Sequence, residues 1–381
     1  MLNISNEKAL KRLLIIRFSA LGDIAMTVPV VYDLATQYPD LEITMLSREM
    51  ARPLFERLPK NVHFLAADLK GRHKGFFGLN RLKRDIHYED FDCVADFHDV
   101  LRSQFLRLNC RLSGQKVAKI DKGRKGKKAL TRQKNKVFVQ QATSFERYAK
   151  VLEQLGFPTK PTFTKLDYSA FCGTQKATWE TWIGIAPFAK HPTKVYPMEK
   201  MEEVIKALSA RENTTIFLFG GGEEEKRQIA ELCNKYPNVQ AASNPNPSTS
   251  GLLRSARDDD SRFASLRGGT EPATSEAWWK QSRSQLATEL ALMSQLDVML
   301  SMDSANMHLA SLVGTRVVSI WGGTHPYAGF LGWNQNPSDC IQVDLPCRPC
   351  SVYGNKPCLR GDYACLWGIT PEEITSRIRQ S

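Results

Sequence analysis

An aspartate at position 23 has the sequence setting of a catalytic carboxylate. It follows the short apolar segment 13–18, which predicts a buried parallel strand, and it stands next to Gly22 at the start of a helical pattern. Ligands of open α/β sheets bind at the carboxyl ends of the strands, where N–H groups at a helix start can also hold an anion. Asp23 is therefore a candidate catalytic group. The alternative is that Asp23 only caps a helix and Gly22 only permits the turn.

Asp303 ends a second apolar segment, 298–302, and begins a turn that suits a diphosphate. Ser304 can cap the helix that follows, and His308 lies about one turn inside that helix. The free N–H groups and the positive dipole end of a helix start attract phosphate oxygens. The alternative is that Asp303 and Ser304 are caps and that His308 packs inward.

Three further turns carry residue types that bind phosphates or sugars. Gly323 and Thr324 let the backbone approach a phosphate, whereas Glu224 follows three glycines and can accept hydrogen bonds from sugar hydroxyls. Lys194 can neutralise a departing diphosphate. The alternatives are an ordinary glycine turn, an acidic first turn that complements a helix dipole, and a surface lysine. The sequence has neither a Walker A pattern nor a GxGxxG fingerprint, which disfavours kinases, P-loop ATPases and ordinary dehydrogenases.

Apolar strands alternate with amphipathic helices through most of the 381 residues, which predicts βαβ units, parallel sheets and two domains. We predict an α/β protein with two Rossmann-like domains, 1–157 and 179–381, joined by a polar linker at 158–178. The first domain has predicted strands at 13–18, 42–46, 62–66, 91–97 and 117–120, and predicted helices at 24–37, 48–58, 81–88, 101–112 and 143–155. Because Pro29 lies inside the stretch 24–37, that helix either starts near Pro29 or kinks there. The second has predicted strands at 182–186, 215–219, 298–302 and 316–321, helices at 198–210, 223–234, 286–294, 304–313 and 370–380, a disordered insertion at 243–285 and a Cys-rich loop at 344–366.

Positive charge is concentrated in one segment of a chain whose net charge is +12. Residues 111–136 contain eleven basic side chains and one acid, which favours an anionic partner such as acidic lipid headgroups, nucleic acid or a phosphate-rich substrate. No aromatic residue interrupts 115–136, which disfavours a single-strand stacking platform. The alternative is a solvated, flexible loop. The candidate binding residues are Arg111, Lys116, Lys122, Arg124, Lys125, Lys127 and Lys128.

Four of the nine cysteines are clustered near the C-terminus, at Cys347, Cys350, Cys358 and Cys365. Four thiolates at this spacing can close a tetrahedral structural zinc site, whereas packed free thiols or occasional disulfides are the alternative. The odd cysteine count and the absence of a secretory signal disfavour a disulfide framework. No run of about 18 apolar residues occurs, so we expect a cytoplasmic protein.

Taken together, these stretches resemble glycosyltransferase family nine, the bacterial ADP-heptose:lipopolysaccharide heptosyltransferases. The likeness rests on RFSALGDIAMTVP near the start, APxxxxxxKxYP at 186–197, the glycine–glutamate turn and DSANMHLA at 303–310, in the family's order. It implies a GT-B architecture in which the parallel sheets of two Rossmann-like domains face an interdomain cleft, with the acceptor bound mainly by the first domain and the nucleotide-sugar by the second. It also implies inverting, metal-independent transfer of heptose from ADP-heptose to the Kdo–lipid A inner core.

The resemblance also assigns roles to single residues. Asp23 matches the family's general base, and Lys194 the lysine that stabilises the leaving diphosphate. Glu224 matches a glutamate near the nucleotide ribose, with Glu223 and Glu225 as alternative equivalents. Asp303 and His308, assisted by Ser304, match residues around the donor sugar and its phosphates. The basic segment would dock the anionic inner core at the inner face of the cytoplasmic membrane.

One departure and several other functions stay open at this point. The family usually has Gly-Pro where this chain has Ala305-Asn306, which alters the backbone offered to a phosphate. A transferase, epimerase or hydrolase acting on another nucleotide-sugar is the second hypothesis. A basic nucleic-acid-binding protein is a third, although no recognition helix supports it. A relative that binds nucleotide without catalysis is a fourth.

Overall fold

The computed structural model describes residues 11–168, 176–243 and 284–379. The chain forms two compact units, of which the first comprises Met1–Arg124 and Ala142–Thr164 and the second comprises Lys125–Gln141 and Lys165–Ser381. Nearly all of the predicted insertion at 243–285 lies outside the described residues. The segment Lys125–Gln141 belongs to the second unit, although its sequence position had suggested the first domain.

The first unit is built on a five-stranded parallel sheet with the order β3-β2-β1-β4-β5. Its central strand is fully buried from Leu13 to Ile16, which explains why the sequence reads as an uninterrupted apolar run. Both neighbours of β1 pair with it in register, so that Ile16 lies opposite Leu46 on one side and Asp96 on the other. The strands are β1 (Arg12–Ile16), β2 (Glu42–Ser47), β3 (Val62–Ala66), β4 (Cys93–Asp96) and β5 (Lys116–Lys119).

Six α-helices occur among the described residues that precede the second sheet. They are α1 (Leu21–Ala25), α2 (Val28–Gln37), α3 (Gly75–Asp85), α4 (Leu101–Leu112), α5 (Arg124–Leu130) and α6 (Ser144–Leu155). The ends of α6 follow from its sequence. Thr143 and Glu146 cap its start reciprocally, and Gly156, at φ 98°, ends it in the left-handed region.

The structure changes three of the predicted helices in this part of the chain and adds one that was not predicted. The stretch predicted as helical at 24–37, with a start or a kink near Pro29, is two helices, because Pro29 fits the first turn of α2 but cannot continue a helix that began at α1. The stretch 48–58 contains only the 3₁₀ helix Glu49–Leu54, which includes a proline. The helix predicted at 81–88 begins earlier, at Gly75. The basic stretch after β5 contains α5, where no helix had been predicted.

The second unit is built on a six-stranded parallel sheet with the order β11-β10-β9-β6-β7-β8. The outer strands β8 and β11 escaped the sequence analysis because three and two residues are too few to show a period. The strands are β6 (Thr181–Ala186), β7 (Thr214–Leu218), β8 (Val239–Ala241), β9 (Val298–Met302), β10 (Arg316–Ile320) and β11 (Cys340–Ile341). The helices are α7 (Met198–Ser209), α8 (Glu223–Lys235), α9 (Gln285–Met293), α10 (Ala305–Leu312), α11 (Ala364–Trp367) and α12 (Pro371–Arg379). Within the described ranges, no helix has both the length and the apolar character needed to cross a bilayer.

Candidate active site

Asp23 lies in α1, just beyond the carboxyl end of β1, and is held by a buried arginine. Its Oδ2 atom is 2.6 Å from Nη2 of Arg17 and accepts the backbone N–H of Ala20 at 3.2 Å. Arg17 is itself fixed, because its Nη1 donates to the carbonyl of Phe97 at 2.7 Å. The Asp23 side chain is 28% exposed, and no partner for its Oδ1 occurs among the described residues. One carboxylate oxygen is therefore oriented by the protein while the other is available to a substrate.

A neutral histidine stands beside this carboxylate. His98 follows β4, its Nδ1 accepts the N–H of Phe18 at 3.4 Å, and its Nε2 lies 3.4 Å from Oγ of Ser19. Burial, reinforced by the cations of Arg17 and Lys122, lowers the pKa of His98 to about 3. The ring is therefore uncharged at neutral pH. With Nδ1 as an acceptor, we assign the ring proton to Nε2.

The loop that carries His98 is fixed by a fully buried carboxylate. Asp96 accepts the N–H groups of His98 and Asp99 at 2.9 and 2.8 Å, and it pairs with Nη1 of Arg107 at 2.5 Å. Lys122 joins this network by donating to the Asp99 carbonyl at 3.1 Å. Lys122 is thus a candidate from the basic segment that contacts this edge of the first sheet.

Three residues predicted to bind the donor come together in the second unit. Nζ of Lys194 lies 2.8 Å from Oδ2 of Asp303 and donates to the Asp303 carbonyl at 3.0 Å. Thr324, which is fully buried, donates its hydroxyl to the same Oδ2 at 2.7 Å. The residues follow β6, β9 and β10, which are adjacent in the sheet. The carboxyl ends of three neighbouring strands therefore create one polar cluster.

The glycines after β10 pack against the loop of Lys194. Gly323 donates its N–H to the carbonyl of Thr193 at 2.8 Å. A Cβ atom on Gly322 would lie 2.4 Å from that same carbonyl oxygen, and one on Gly323 would lie 3.0 Å from Cβ of Thr193. The two glycines are therefore required by the close approach of two backbone segments, and they bring Thr324 within reach of Asp303.

We expect Gly322→Ala to lower the free energy of unfolding by about 1–3 kcal/mol, because backbone must move to accommodate the methyl group. Donor affinity should fall with it, since the displaced turn carries Thr324. Thermal unfolding and nucleotide titration measure the two effects. Gly221→Ala is the matched control, because a Cβ there meets nothing within 4 Å. Equal stability of the two variants would contradict the packing argument.

A buried arginine, which was not predicted from the sequence, binds the backbone of this turn. The guanidinium of Arg348 donates to the carbonyls of Trp321, Gly322 and Thr324 at 2.9, 2.5 and 3.0 Å. Nζ of Lys136 donates to the carbonyl of Arg348 at 2.6 Å and also to those of Pro346 and Pro349, at 3.0 and 3.3 Å. Arg348 therefore attaches the Cys-rich loop to the glycine turn, and Lys136 binds the backbone of that loop.

The zinc site predicted at the four clustered cysteines stays a prediction. The described part of the chain contains no group of three or more His, Cys, Asp or Glu side chains placed to hold a metal ion. The four cysteines, Cys347, Cys350, Cys358 and Cys365, are free thiols. Cys350 donates its N–H and directs its Sγ to the carbonyl of Gly323, at 3.0 and 3.6 Å. At least this thiol is used in packing and hydrogen bonding, which was the alternative interpretation of the cluster.

The remaining donor candidates are less tightly joined to this cluster. Ser304 precedes α10, and its Oγ lies 3.3 Å from that of Ser301, whereas His308 is buried within the helix. Glu224 contacts its own helix, where Arg227 holds the pKa of its carboxyl down to about 2. Glu225, not Glu224, accepts the N–H of Gly221, at 2.7 Å.

The structure corrects the prediction that the basic segment forms one open, positively charged surface. Lys127 is buried, with its Nζ 4.0 Å from the ring centre of Phe330. Lys116 donates to the carbonyl of Leu155 at 2.9 Å, although the residue is exposed overall. Both cations therefore have structural partners, because an ammonium group at the end of an apolar stem satisfies carbonyl and aromatic acceptors well. The exposed members are Arg111, Lys116, Arg124, Lys125 and Lys128.

Two parallel sheets covered by helices, each with polar residues at its carboxyl edge, match the α/β architecture of the GT-B fold. The family model of glycosyltransferase family 9 (heptosyltransferase) matches residues 79–242 and 282–358. The chain therefore belongs to glycosyltransferase family 9 and is an enzyme.

Individual relatives agree with this assignment. Lipopolysaccharide heptosyltransferase 3 of Escherichia coli (strain K12) is 22% identical over 332 residues, which cover 83% of each chain. The structure of E. coli heptosyltransferase WaaC with ADP has a TM-score of 0.61 and 16% identity, with coverage of 97% of this chain and 99% of the other. A family 9 glycosyltransferase from Veillonella parvula has a TM-score of 0.66 and 18% identity, with 97% and 96% coverage.

Proposed function

We propose that this enzyme transfers heptose from ADP-heptose to the Kdo–lipid A inner core of lipopolysaccharide, with inversion at the anomeric carbon. The family match supports heptosyl transfer, and the name of the E. coli relative supports lipopolysaccharide as the destination. The observation that carries the mechanism is Asp23, which has one oxygen fixed by Arg17 and the other available at the carboxyl end of β1.

In the proposed reaction, Oδ1 of Asp23 removes the proton from an acceptor hydroxyl as that oxygen attacks the anomeric carbon. The carbon–oxygen bond to the diphosphate breaks on the opposite face of the sugar, and ADP leaves with the bonding electrons. The guanidinium of Arg17 holds the carboxylate in place, and the neutral ring of His98 contacts Phe18 and Ser19 in the turn that leads to it. Because Asp23 takes up the proton directly, this step needs no metal-bound hydroxide.

The second unit is proposed to hold the donor. Lys194 and the N–H groups at the start of α10 would neutralise the charge that develops on the diphosphate, which removes the need for a divalent cation. Asp303 would accept hydrogen bonds from donor hydroxyls while it remains paired with Lys194. Gly323, Thr324, Ser304 and His308 would complete the sugar and phosphate contacts, and Glu224 would contact the ribose.

The proposed function is tested by measuring ADP release from ADP-heptose with and without Kdo–lipid A. We expect release that depends on the acceptor, together with a heptosylated lipid product detectable by mass spectrometry. Release at the same rate without acceptor would instead indicate a hydrolase. If the enzyme releases no ADP from ADP-heptose but releases nucleotide from another nucleotide-sugar, the proposed donor is wrong and the transferase assignment still holds.

The same proposal places the enzyme at the cytoplasmic face of the inner membrane, where a lipid-anchored acceptor and a water-soluble nucleotide-sugar meet. The positive net charge of +12 supports attraction to an anionic bilayer. The described helices are not membrane-spanning, so the proposed association is peripheral.

A further inference from the structure

Large apolar side chains are exposed together on two neighbouring helices of the first unit. Phe77 on α3 is 85% exposed, and Leu101 and Leu112 on α4 are 84% and 78% exposed. Phe76 and Leu108 on the same helices are also more than half exposed. Single exposed apolar residues are ordinary, but a contiguous set of large ones marks an interaction surface.

These side chains form one continuous surface. Leu101, Phe105, Leu108 and Leu112 recur at the spacing of a single helix face, so they line α4 from its first residue to its last. The ring of Phe105 lies 5.7 Å from that of Phe76, which joins the stripe to α3. We call the set the α3–α4 apolar face; its members are Phe76, Phe77, Leu101, Phe105, Leu108 and Leu112.

The charges on the two helices of this face are mostly positive. The sequence of α4 contains no acidic residue, and that of α3 contains only Asp85. Asp85 forms an ion pair with Arg72, at 2.8 Å, and a hydrogen bond with His73, at 3.0 Å. The exposed cations on or next to the two helices are Lys74, Arg81, Arg84, Arg102 and Arg111.

We propose that the α3–α4 apolar face inserts into the surface of an anionic lipid bilayer. Apolar side chains enter the headgroup boundary while the surrounding Lys and Arg residues bind lipid phosphates, which is the composition of an interfacial membrane anchor. The charge pattern favours this occupant over a second copy of the chain, since a symmetric contact would bring the same cations together in both copies.

This inference rests on the proposed function and gives its lipid acceptor a route to the site. The helix α4 begins at Leu101, three residues after His98, whose ring contacts Ser19 at the start of the Asp23 turn. The inserted face is thus continuous with the edge of the sheet that carries the proposed base. An acceptor could reach Asp23 with its acyl chains still in the bilayer.

Vesicle flotation tests the proposal with the full-length enzyme. We expect wild type to float with vesicles that contain phosphatidylglycerol and to float far less with pure phosphatidylcholine vesicles. The double variant Phe77→Ser/Leu101→Ser should lose about tenfold or more in apparent affinity, because two large side chains no longer insert. Trp179→Ser/Leu359→Ser, which removes two exposed apolar side chains of the second unit, is the matched control and should bind as wild type does.

The possible results distinguish the proposal of bilayer insertion from the proposed heptosyltransferase function. With a water-soluble, deacylated acceptor the Phe77→Ser/Leu101→Ser enzyme should retain wild-type turnover, whereas with vesicle-embedded acceptor it should lose activity. Undiminished vesicle binding by that variant overturns the bilayer proposal. A wild-type dimer that the variant converts to a monomer, without vesicle binding by either, overturns it in favour of a second copy. Vesicle binding that depends on this face, in an enzyme inactive on ADP-heptose, would instead overturn the proposed function alone.

Discussion

Asp23→Asn is expected to reduce acceptor-dependent ADP release by about two to four orders of magnitude. The asparagine can still accept hydrogen bonds from Arg17 and Ala20, so the turn keeps its shape. An amide, however, cannot take a proton from the attacking hydroxyl. The loss should appear mainly in kcat, while the affinity for ADP-heptose stays close to that of wild type.

Stability must be measured beside activity, because the substitution leaves the buried Arg17 guanidinium without its carboxylate. Asp33→Asn is the matched control in the same unit. Asp33 is buried and accepts the N–H groups of Thr162 and Phe163 and the Thr162 hydroxyl, so its replacement should cost stability but not turnover per folded molecule. Asp23→Asn activity within tenfold of wild type would exclude Asp23 as the general base.

Lys194→Met is expected to lower kcat/KM for the nucleotide-sugar by about two to three orders of magnitude, because the leaving diphosphate loses its cation. It should also destabilise the second unit by about 3–5 kcal/mol, since the buried Asp303 carboxylate loses its ion pair. Steady-state kinetics and denaturant unfolding measure the two losses separately.

The double variant Lys194→Met/Asp303→Asn distinguishes the effect of the ion pair on stability from the effect of Lys194 on turnover. Removing both charges should recover much of the stability, as an amide and a thioether leave no buried ion unpaired, but it should not recover turnover. Lys190→Met is the matched control, because that lysine is exposed on the same loop and has no ion pair among the described residues. Wild-type kcat/KM in Lys194→Met would exclude the proposed role in diphosphate stabilisation.

The strands that carry the site were predictable because buried parallel strands are apolar along their whole length. The segment 298–302 was predicted to the residue, and the turn after it was recognised from Asp303 and Ser304. Short-range patterns sufficed there, since the chemistry follows immediately after the strand in the sequence. The same logic located Asp23 and the glycines after β10.

Residues whose role depends on distant partners could not be found in this way. His98 meets Ser19 across a separation of 79 residues, and Arg348 meets Trp321 across 27. Neither stands in a recognisable motif, although His98 follows the strand next to β1 and could have been suspected from that position.

The two units alternate along the sequence, which affects both the synthesis of the chain and its division into fragments. Lys136 is synthesised 212 positions before the carbonyl of Arg348 that it binds, and Lys127 likewise precedes Phe330. During translation the segment 125–141 therefore cannot form these contacts until nearly the whole polypeptide has been synthesised. No single cleavage point divides the units, and a fragment ending at residue 164 would carry a piece of the second unit with it. Separating the two units therefore requires three cuts, at the boundaries 124/125, 141/142 and 164/165, rather than a truncation.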